Sequence, residues 1–185
     1  MLFDSIKIRH CASVYSPGED SRLMAEAVEE HAQGKVLDMG TGAGVLGIVA
    51  AKIGCDVTFV DNNVKSIQCA RQNAEQNDVS GKFIVSDLFG EVKGRFNTII
   101  FNPPYLPSKD MPKSPELLAL EGGRGGREVI ERFLEEYKRH VSAKHSVLMV
   151  ESSLNDYTND IPRLGAKVVK KAHYFFEDLA VLMFK

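Results

Sequence analysis

The stretch VLDMGTGAGVLG, residues 36–47, joins two apolar runs through closely spaced glycines. A short apolar run followed by glycines and then by a helix-like pattern is typical of a strand, a tight loop and the start of a helix. Glycine permits the turn and lets a ligand approach the backbone amide groups at the helix N-terminus. We therefore expect a ligand-binding loop that contains Gly40, Gly42 and Gly44.

The glycine spacing leaves the ligand open. Gly42, Gly44 and Gly47 also satisfy the G-x-G-x-x-G pattern of dinucleotide-binding proteins. In a third interpretation, the glycines only let the helix pack closely against the strand. The ligand of the loop must therefore be inferred from the residues around it.

Strand-like and helix-like segments alternate along almost the whole chain, which indicates a mostly parallel sheet with helices on both faces. Near the C-terminus two strand-like segments follow each other at hairpin spacing, after a weak helix broken at Pro162, and this predicts an antiparallel pair. The predicted strands are residues 35–39, 56–60, 82–86, 96–101, 146–151, 166–175 and 179–184, and the main predicted helices are residues 19–34, 45–54, 64–77 and 126–141.

The length and composition fit one soluble domain over residues 1–185, with residues 1–33 as an N-terminal cap segment and helix. The net charge of -2 argues against a large basic face for nucleic acid. No apolar run approaches the ~20 residues of a membrane span. Cys11, Cys55 and Cys69 lack the close pairing of zinc sites or disulfide frameworks, so we expect no metal site, unpaired thiols and a reducing cytoplasm.

Two acids follow predicted strands, at the edge where α/β sheets bind ligands. Asp61 lies about 20 residues after the glycines, where a carboxylate accepts hydrogen bonds from ribose hydroxyls. Asp87 could accept a hydrogen bond from an adenine amino group. The plainer alternatives are a helix N-cap for Asp61 and a turn former for Asp87.

The sequence NPPY, residues 102–105, directly follows the apolar run FNTIIF. Two prolines make this connection stiffer than a turn requires, although a rigid turn with Asn102 as its first residue is the plainer alternative. The amide oxygen of Asn102 and the carbonyl oxygen of Pro103 are two fixed acceptors, which suit a planar NH2 group with its two donors. Tyr105 could lie against that flat group. This arrangement would orient an amide or exocyclic amine for attack.

These motifs together resemble class I S-adenosylmethionine-dependent methyltransferases that modify planar amino nitrogens. The stretches VYSPGEDSRLM (residues 14–24) and ALEGGRGGREVIERF (residues 119–133) are similar to the archaeal and eukaryotic branch of the HemK-like protein-glutamine methyltransferases. That family modifies the Gly-Gly-Gln motif of class 1 translation release factors. The resemblance implies a Rossmann-like fold with seven strands and a C-terminal antiparallel hairpin.

The resemblance also implies roles for individual residues. Asp38 and Gly40 would hold the methionine part of S-adenosylmethionine, Asp61 its ribose, and Asp87 with Leu88 its adenine. Ser21 would close over the cofactor. The full predicted set is Ser21, Asp38, Gly40, Gly42, Gly44, Asp61, Asp87, Leu88 and Asn102 for the cofactor, and Asn102, Pro103, Pro104 and Tyr105 for catalysis. Because Gly125 stands where bacterial members tend to have an acid, Arg124 and Arg127 would form a different substrate lip.

Other functions stay open. The chemistry of NPPY also suits methylation of adenine or guanine amino groups in nucleic acid, and a non-catalytic cofactor-binding scaffold or a nicotinamide dehydrogenase is a further alternative. The resemblance implies a small zinc-binding activator protein as partner, in a heterodimer. Residues 82–86 or the strand containing residues 57–60 would offer it an exposed sheet edge, unless charges or the loop of residues 75–82 mask that edge.

Overall fold

A seven-stranded sheet forms the centre of the protein in the computed structural model, which describes residues 1–105, 123, 126–174 and 177–185. Across the sheet the strand order is β3-β2-β1-β4-β5-β7-β6. Neighbours among β1 to β5 run parallel, whereas β7 is antiparallel to both β5 and β6. The strands are β1 Lys35–Met39, β2 Asp56–Asp61, β3 Lys82–Val85, β4 Phe96–Phe101, β5 Val141–Ser152, β6 Lys167–Tyr174 and β7 Glu177–Phe184. The predicted fold class and its terminal hairpin are confirmed.

The helices cover both faces of this sheet. Along the strands, successive side chains point to opposite faces, so Val36 joins one apolar cluster and Leu37 the other. The first cluster includes residues of α1, α2 and α3, and the second includes Ile130 and Phe133 of α4. The helices are α1 Glu19–His31, α2 Val45–Lys52, α3 Val64–Gln76, α4 Glu128–Glu136 and α5 Asp160–Leu164, with short 3-10 turns at Leu2–Ser5, Tyr137–His140, Ser153–Asn155 and Tyr157–Asn159.

Helix α5 differs from the prediction of a helix broken at Pro162. Pro162 does not break this helix, because it lies within the first turn of Asp160–Leu164. The backbone N–H groups of a first turn have no partner inside the helix, so proline removes nothing there. The helix ends instead at Gly165, which adopts a left-handed conformation.

The N-terminal segment is attached along α3. The side chain of Asn77 accepts a hydrogen bond from Lys7 N at 3.0 Å and donates one to Lys7 O at 2.8 Å. Arg9 N donates in the same way to Asn73 Oδ1 at 2.8 Å. These two amide side chains replace the pairing that a neighbouring strand would give, so the segment that contains Lys7 and Arg9 is held along α3.

A disulfide between Cys11 and Cys69 fixes the same segment to α3. The expectation of unpaired thiols is therefore wrong for these two residues, while Cys55 is free. The two cysteines are 58 residues apart in sequence, and only the packing of the segment on the helix brings them together. No helix in the described ranges is both long and apolar enough to cross a membrane. A cytoplasmic location stays a prediction.

Candidate active site

A cavity of about 440 Å³ lies at the carboxyl ends of the central strands. The strand order reverses between β1 and β4, and such a switch point is where open α/β sheets bind ligands. The N-terminal segment contributes Ser13, Tyr15 and Pro17 to its wall. Of the predicted site residues, those that line the cavity are Ser21, Gly40, Gly42, Asp61, Asp87, Leu88, Asn102, Pro103 and Pro104.

Three predicted site residues do not line this cavity. Asp38 lies beneath the loop, 1% exposed, and its Oδ2 accepts hydrogen bonds from the Thr41 hydroxyl and from Gly47 N. Burial raises the pKa of Asp38 to about 7. Gly44 caps α2, and Tyr105 is buried, with its pKa raised mainly by that burial. Their contacts with a ligand stay predictions.

The glycine loop presents bare backbone to the cavity. Gly42 has a positive φ of 53°, and a Cβ added to it would meet no atom of the described residues within 4 Å. Gly44 also has a positive φ, of 88°, but a Cβ there would lie 3.0 Å from the Cα of Ala70 on α3. Gly42 therefore keeps the ligand side of the loop open, whereas Gly44 permits close packing of two helices.

Asp61 joins the end of β2 to this loop. Its Oδ2 accepts a hydrogen bond from Gly42 N at 2.9 Å, and its Oδ1 accepts one from Asn63 N at 2.9 Å. The helix N-cap is a different residue, because the side chain of Asn63 accepts from Lys65 N at the start of α3. Burial raises the pKa of Asp61. Each carboxylate oxygen has a second lone pair, so Asp61 retains acceptor capacity toward the cavity.

Asp87 and Leu88 follow β3 and line the cavity. Asp87 is exposed and accepts a hydrogen bond at 2.7 Å from Arg132 of α4, which also lines the cavity. This hydrogen bond raises the pKa of Arg132. Leu88 has a positive φ of 46°, which is uncommon for a residue with a side chain and is found most often at sites with a structural or functional demand. No local sequence pattern predicts Arg132 as a site residue.

Asn102 forms the end of the cavity next to α1. Its Nδ2 donates a hydrogen bond at 2.7 Å to Oδ2 of Asp20, which is 2% exposed. Its Oδ1 is buried and accepts no hydrogen bond from any residue in the described part of the chain. A buried acceptor without a partner is costly, so its presence at a cavity wall indicates a place for a donor from a ligand. Asp20 was missed because it lies 82 residues from Asn102, beyond any local motif.

Residues 5–116 of the chain match the family model described as "Methyltransferase small domain". The chain belongs to the methyltransferase small domain family. This methyltransferase is also 36% identical over 187 residues to a protein of Methanocaldococcus jannaschii named as a candidate protein N5-glutamine methyltransferase, covering 97% of this chain and 95% of that one.

Two further similarities concern RNA-modifying proteins. Ribosomal RNA small subunit methyltransferase C of Shigella boydii is 37% identical over 107 residues, which are 55% of this chain and 31% of that protein. The solved structure of the T. thermophilus 16S rRNA N2 G1207 methyltransferase, in complex with AdoMet and guanosine, matches with a TM-score of 0.71 at 20% identity, over 92% of this chain and 43% of that one. At that identity the likeness shows the fold alone.

Arg127 of the methyltransferase does not support the predicted substrate lip. It does not line the cavity, and its guanidinium donates to Glu131 at 2.7 Å, Asp160 at 2.6 Å and Glu151 at 3.3 Å. Burial and the neighbouring Asp160 raise the pKa of Glu151 to about 8. Arg127 thus ties the start of α4 to the end of β5. Arg124, and residues 106–122 of the long irregular region, lie outside the described residues.

Proposed function

We propose that this protein is an S-adenosylmethionine-dependent methyltransferase that modifies the side-chain amide nitrogen of the glutamine in the Gly-Gly-Gln motif of a class 1 translation release factor. The observation that carries the proposal is the buried Oδ1 of Asn102 at the cavity wall, which has no hydrogen-bond partner among the described residues. The similarity over nearly the full length to a candidate glutamine methyltransferase supports it.

The cavity has features that suit S-adenosylmethionine. Gly40 and Gly42 would face it with backbone, Asp61 would accept hydrogen bonds from its ribose, and Asp87 with Leu88 would lie at its adenine. The open space at Gly42 is the cradle that such a ligand needs. When bound, S-adenosylmethionine supplies an electrophilic methyl group on a positively charged sulfur.

Asn102 would hold the substrate amide. The lone pair of an amide nitrogen is delocalised, so the group attacks well only when it is oriented and its NH2 donates to fixed acceptors. Asn102 Oδ1 and the carbonyl oxygen of Pro103 are such acceptors, and the two prolines keep them in place. No base is required before attack, because the nitrogen can lose its surplus proton after it has been methylated.

The direct test uses labelled S-adenosylmethionine, the purified chain and a purified release factor. We expect one methyl group per release factor, located by mass spectrometry on the glutamine of the Gly-Gly-Gln motif. A release factor in which this glutamine is replaced by glutamate is the control, and it should take up no label. Label in both substrates, or in neither, would contradict the proposal.

A second candidate function is methylation of a guanine or adenine amino group in RNA. It is favoured by the similarity to ribosomal RNA methyltransferase C, although this covers only about half of the chain. The net charge of -2 does not favour a polyanionic substrate. Ribosomal RNA in the same labelling assay distinguishes the two functions. The base and the glutamine both carry an NH2 group, but only one of the two substrates should be labelled.

The zinc-binding activator subunit is likewise a proposal. Strand β3 lies at one edge of the sheet, as predicted, and its last residue Val85 is 43% exposed. Strand β2 is internal and offers no edge. Unpaired strand edges tend to recruit another chain. Cofactor affinity of the isolated chain, compared with that of the co-expressed pair, tests this proposal, and a fully active monomer would contradict it.

A further inference from the structure

Asp20 is a buried carboxylate in the first turn of α1, and it is the acceptor in each side-chain hydrogen bond that it forms with the described residues. Its Oδ1 accepts from the Tyr15 hydroxyl at 3.0 Å and from Ser21 N at 2.7 Å, and more weakly from the Ser21 hydroxyl at 3.3 Å. Its Oδ2 accepts from Asn102 Nδ2 at 2.7 Å. An ionised carboxylate has no proton to give, so a neighbour can face it only with a donor.

This restriction decides the orientation of the Asn102 side chain. The carboxamide has a donor end and an acceptor end of nearly equal size, and the wrong end would place two oxygens 2.7 Å apart against Asp20. With NH2 held by Asp20, the carbonyl Oδ1 must face the other way, and there it is buried without a partner among the described residues. The bond is also charge-assisted and short, so it fixes the amide more firmly than a neutral bond would.

We propose that Asp20 is the positioning residue of the reaction: it fixes the Asn102 carboxamide so that Oδ1 accepts a hydrogen bond from the NH2 group of the substrate. The negative charge of Asp20 also polarises the carboxamide and strengthens Oδ1 as an acceptor. The inference rests on the proposed function for the identity of the substrate, but it applies to any planar NH2 group.

The surroundings of Asp20 are built to hold it in this place. A Cβ added to Gly18 would lie 2.7 Å from the Tyr15 hydroxyl oxygen and 3.2 Å from Asp20 Oδ1, so a larger residue there would push these two groups out of their present positions. Burial raises the pKa of Tyr15, and the nearby charge of Asp20 raises it further, so the hydroxyl stays protonated and can act as a donor. An acid in the first turn also stabilises a helix through its dipole, and the test must separate that structural role from positioning.

A reciprocal exchange separates them. In Asp20→Asn the new amide faces Asn102 with its NH2, because Tyr15 and Ser21 still require an acceptor on the other side. Asn102 must then rotate its carboxamide and present NH2 to the substrate. We expect a fall of about 10²- to 10³-fold in the single-turnover rate at saturating S-adenosylmethionine. Asn102→Asp alone sets two carboxyl groups against each other, and its single-turnover rate should fall at least as far.

The double variant D20N/N102D restores the pattern. The amide at position 20 donates to the carboxylate at position 102, whose other oxygen faces the substrate as an acceptor. We expect this variant to be at least about tenfold faster than either single variant, a rescue that loss of helix stability cannot produce. Asp160→Asn, the same change at another buried carboxylate, should lower the melting temperature and leave the rate within about twofold.

Two readouts do not depend on turnover. Calorimetry should give S-adenosylmethionine affinities within about threefold of the parent for every variant. In ¹⁵N-labelled protein, one proton of the Asn102 NH2 group should resonate downfield in the parent and move upfield in Asp20→Asn, as the charge-assisted bond is lost. A rate within threefold of the parent in Asp20→Asn, an unchanged NH2 resonance, or no rescue in a folded, cofactor-binding double variant would each overturn the inference.

The experiment also separates this inference from the proposed function. If the parent labels an RNA base and not the release factor, the proposed function fails, and the exchange series is run on that base with the same expectations. If no substrate is labelled, the NH2 resonance of Asn102 alone supports or overturns the role of Asp20.

Discussion

The two ends of the cavity differ in how far apart in sequence their residues lie and in how their polar groups are paired. At the glycine-loop end, Asp38, Thr41, Gly42 and Gly47 lie within ten residues, and their mutual hydrogen bonds close the loop on itself, with Asp61 added from the next strand. At the Asn102 end, the contact with Asp20 spans 82 residues and leaves one buried acceptor without a partner in the described part of the chain.

This difference indicates a division of labour. A loop whose carboxylates already accept backbone hydrogen bonds is rigid before any ligand arrives, which suits a cofactor that binds in every cycle. A buried acceptor without a partner stabilises nothing in the free protein, so its benefit comes from what it binds. Changes at the first end should therefore affect cofactor affinity and folding, and changes at the second end should affect turnover.

The largest effect is expected for Asn102→Ala. Losing a group that acts on the reacting nitrogen should lower the single-turnover rate by about 10²- to 10³-fold, with S-adenosylmethionine affinity within about threefold of the parent. Stopped reactions with labelled cofactor and calorimetry measure the two quantities. Asn97→Ala, at the opposite end of β4, is the control and should keep the parent rate. A variant of Asn102 that turns over within a few-fold of the parent would remove this residue from the mechanism.

The buried carboxyl group of Glu151, which lies against Arg127, predicts a pH effect on stability. The pKa of Glu151 rises from 4.5 to about 8 on folding, so the folded state retains the proton that the unfolded state loses. Stability from this group is present below pH 4.5 and is lost as the pH rises through 8. Relative to Glu151→Gln, the parent should lose up to a few kcal/mol over that range, at about 1.4 kcal/mol per unit of pKa shift.

Urea unfolding of both proteins between pH 4.5 and 8.5 measures this difference. Glu131 is the matched control, because Arg163 and Arg127 lower its pKa to about 2. Its contribution is present above pH 4.5 and is lost only as the pH falls toward 2. Glu131→Gln should therefore leave the slope above pH 4.5 unchanged. A parallel stability profile for the parent and Glu151→Gln would contradict the raised pKa.

At the glycine-loop end, Asp61→Ala should weaken S-adenosylmethionine binding. Losing a charged acceptor costs about 1.5 to 3 kcal/mol, or roughly 10- to 150-fold in Kd. The single-turnover rate at saturating cofactor should fall much less than in Asn102→Ala. Calorimetry makes the comparison, with Asp56→Ala at the exposed start of the same strand as control. Equal cofactor affinity in the parent and in Asp61→Ala would refute the assignment of the ribose to this residue.

The same contrast explains what the sequence alone could predict. The alternation of apolar runs, the glycines and the acids after strands are local patterns, and they located the sheet, the loop, Asp61 and Asn102. Asp20, Arg132 and the disulfide of Cys11 with Cys69 depend on how distant segments pack, and no spacing along the chain encodes that packing. Asp38 and Arg127 lie within recognised stretches of sequence, and the structure adds hydrogen bonds to other protein groups that the local patterns did not predict.

Within the loop, Gly42→Ala and Gly44→Ala should separate binding from folding. Both have positive φ, which costs a residue with a side chain roughly 1 to 2 kcal/mol. At Gly44 the added Cβ also meets Ala70, so we expect a lower melting temperature and, in the folded fraction, near-parent cofactor affinity. At Gly42 the Cβ meets only the cavity, so affinity should fall more than stability. Thermal unfolding and calorimetry on both variants measure the two effects. A larger loss of affinity in Gly44→Ala than in Gly42→Ala would contradict these roles.

The smallest effect is expected at the exposed pair of Arg132 and Asp87, whose side chains are 51% and 61% exposed. Such pairs contribute only about 0.2 to 1 kcal/mol, so Arg132→Ala should leave the melting temperature almost unchanged. Because Arg132 occupies the carboxylate that the adenine amino group would need, its removal should improve S-adenosylmethionine affinity slightly, by no more than about threefold. Added salt should produce part of the same gain in the parent by screening the pair.

Arg139→Ala, with the same change in net charge, is the control and should bind like the parent. A tenfold loss of affinity in Arg132→Ala alone would mean instead that Arg132 itself contacts the cofactor, and that the adenine end is held by side chains of two elements and not by the strand end alone.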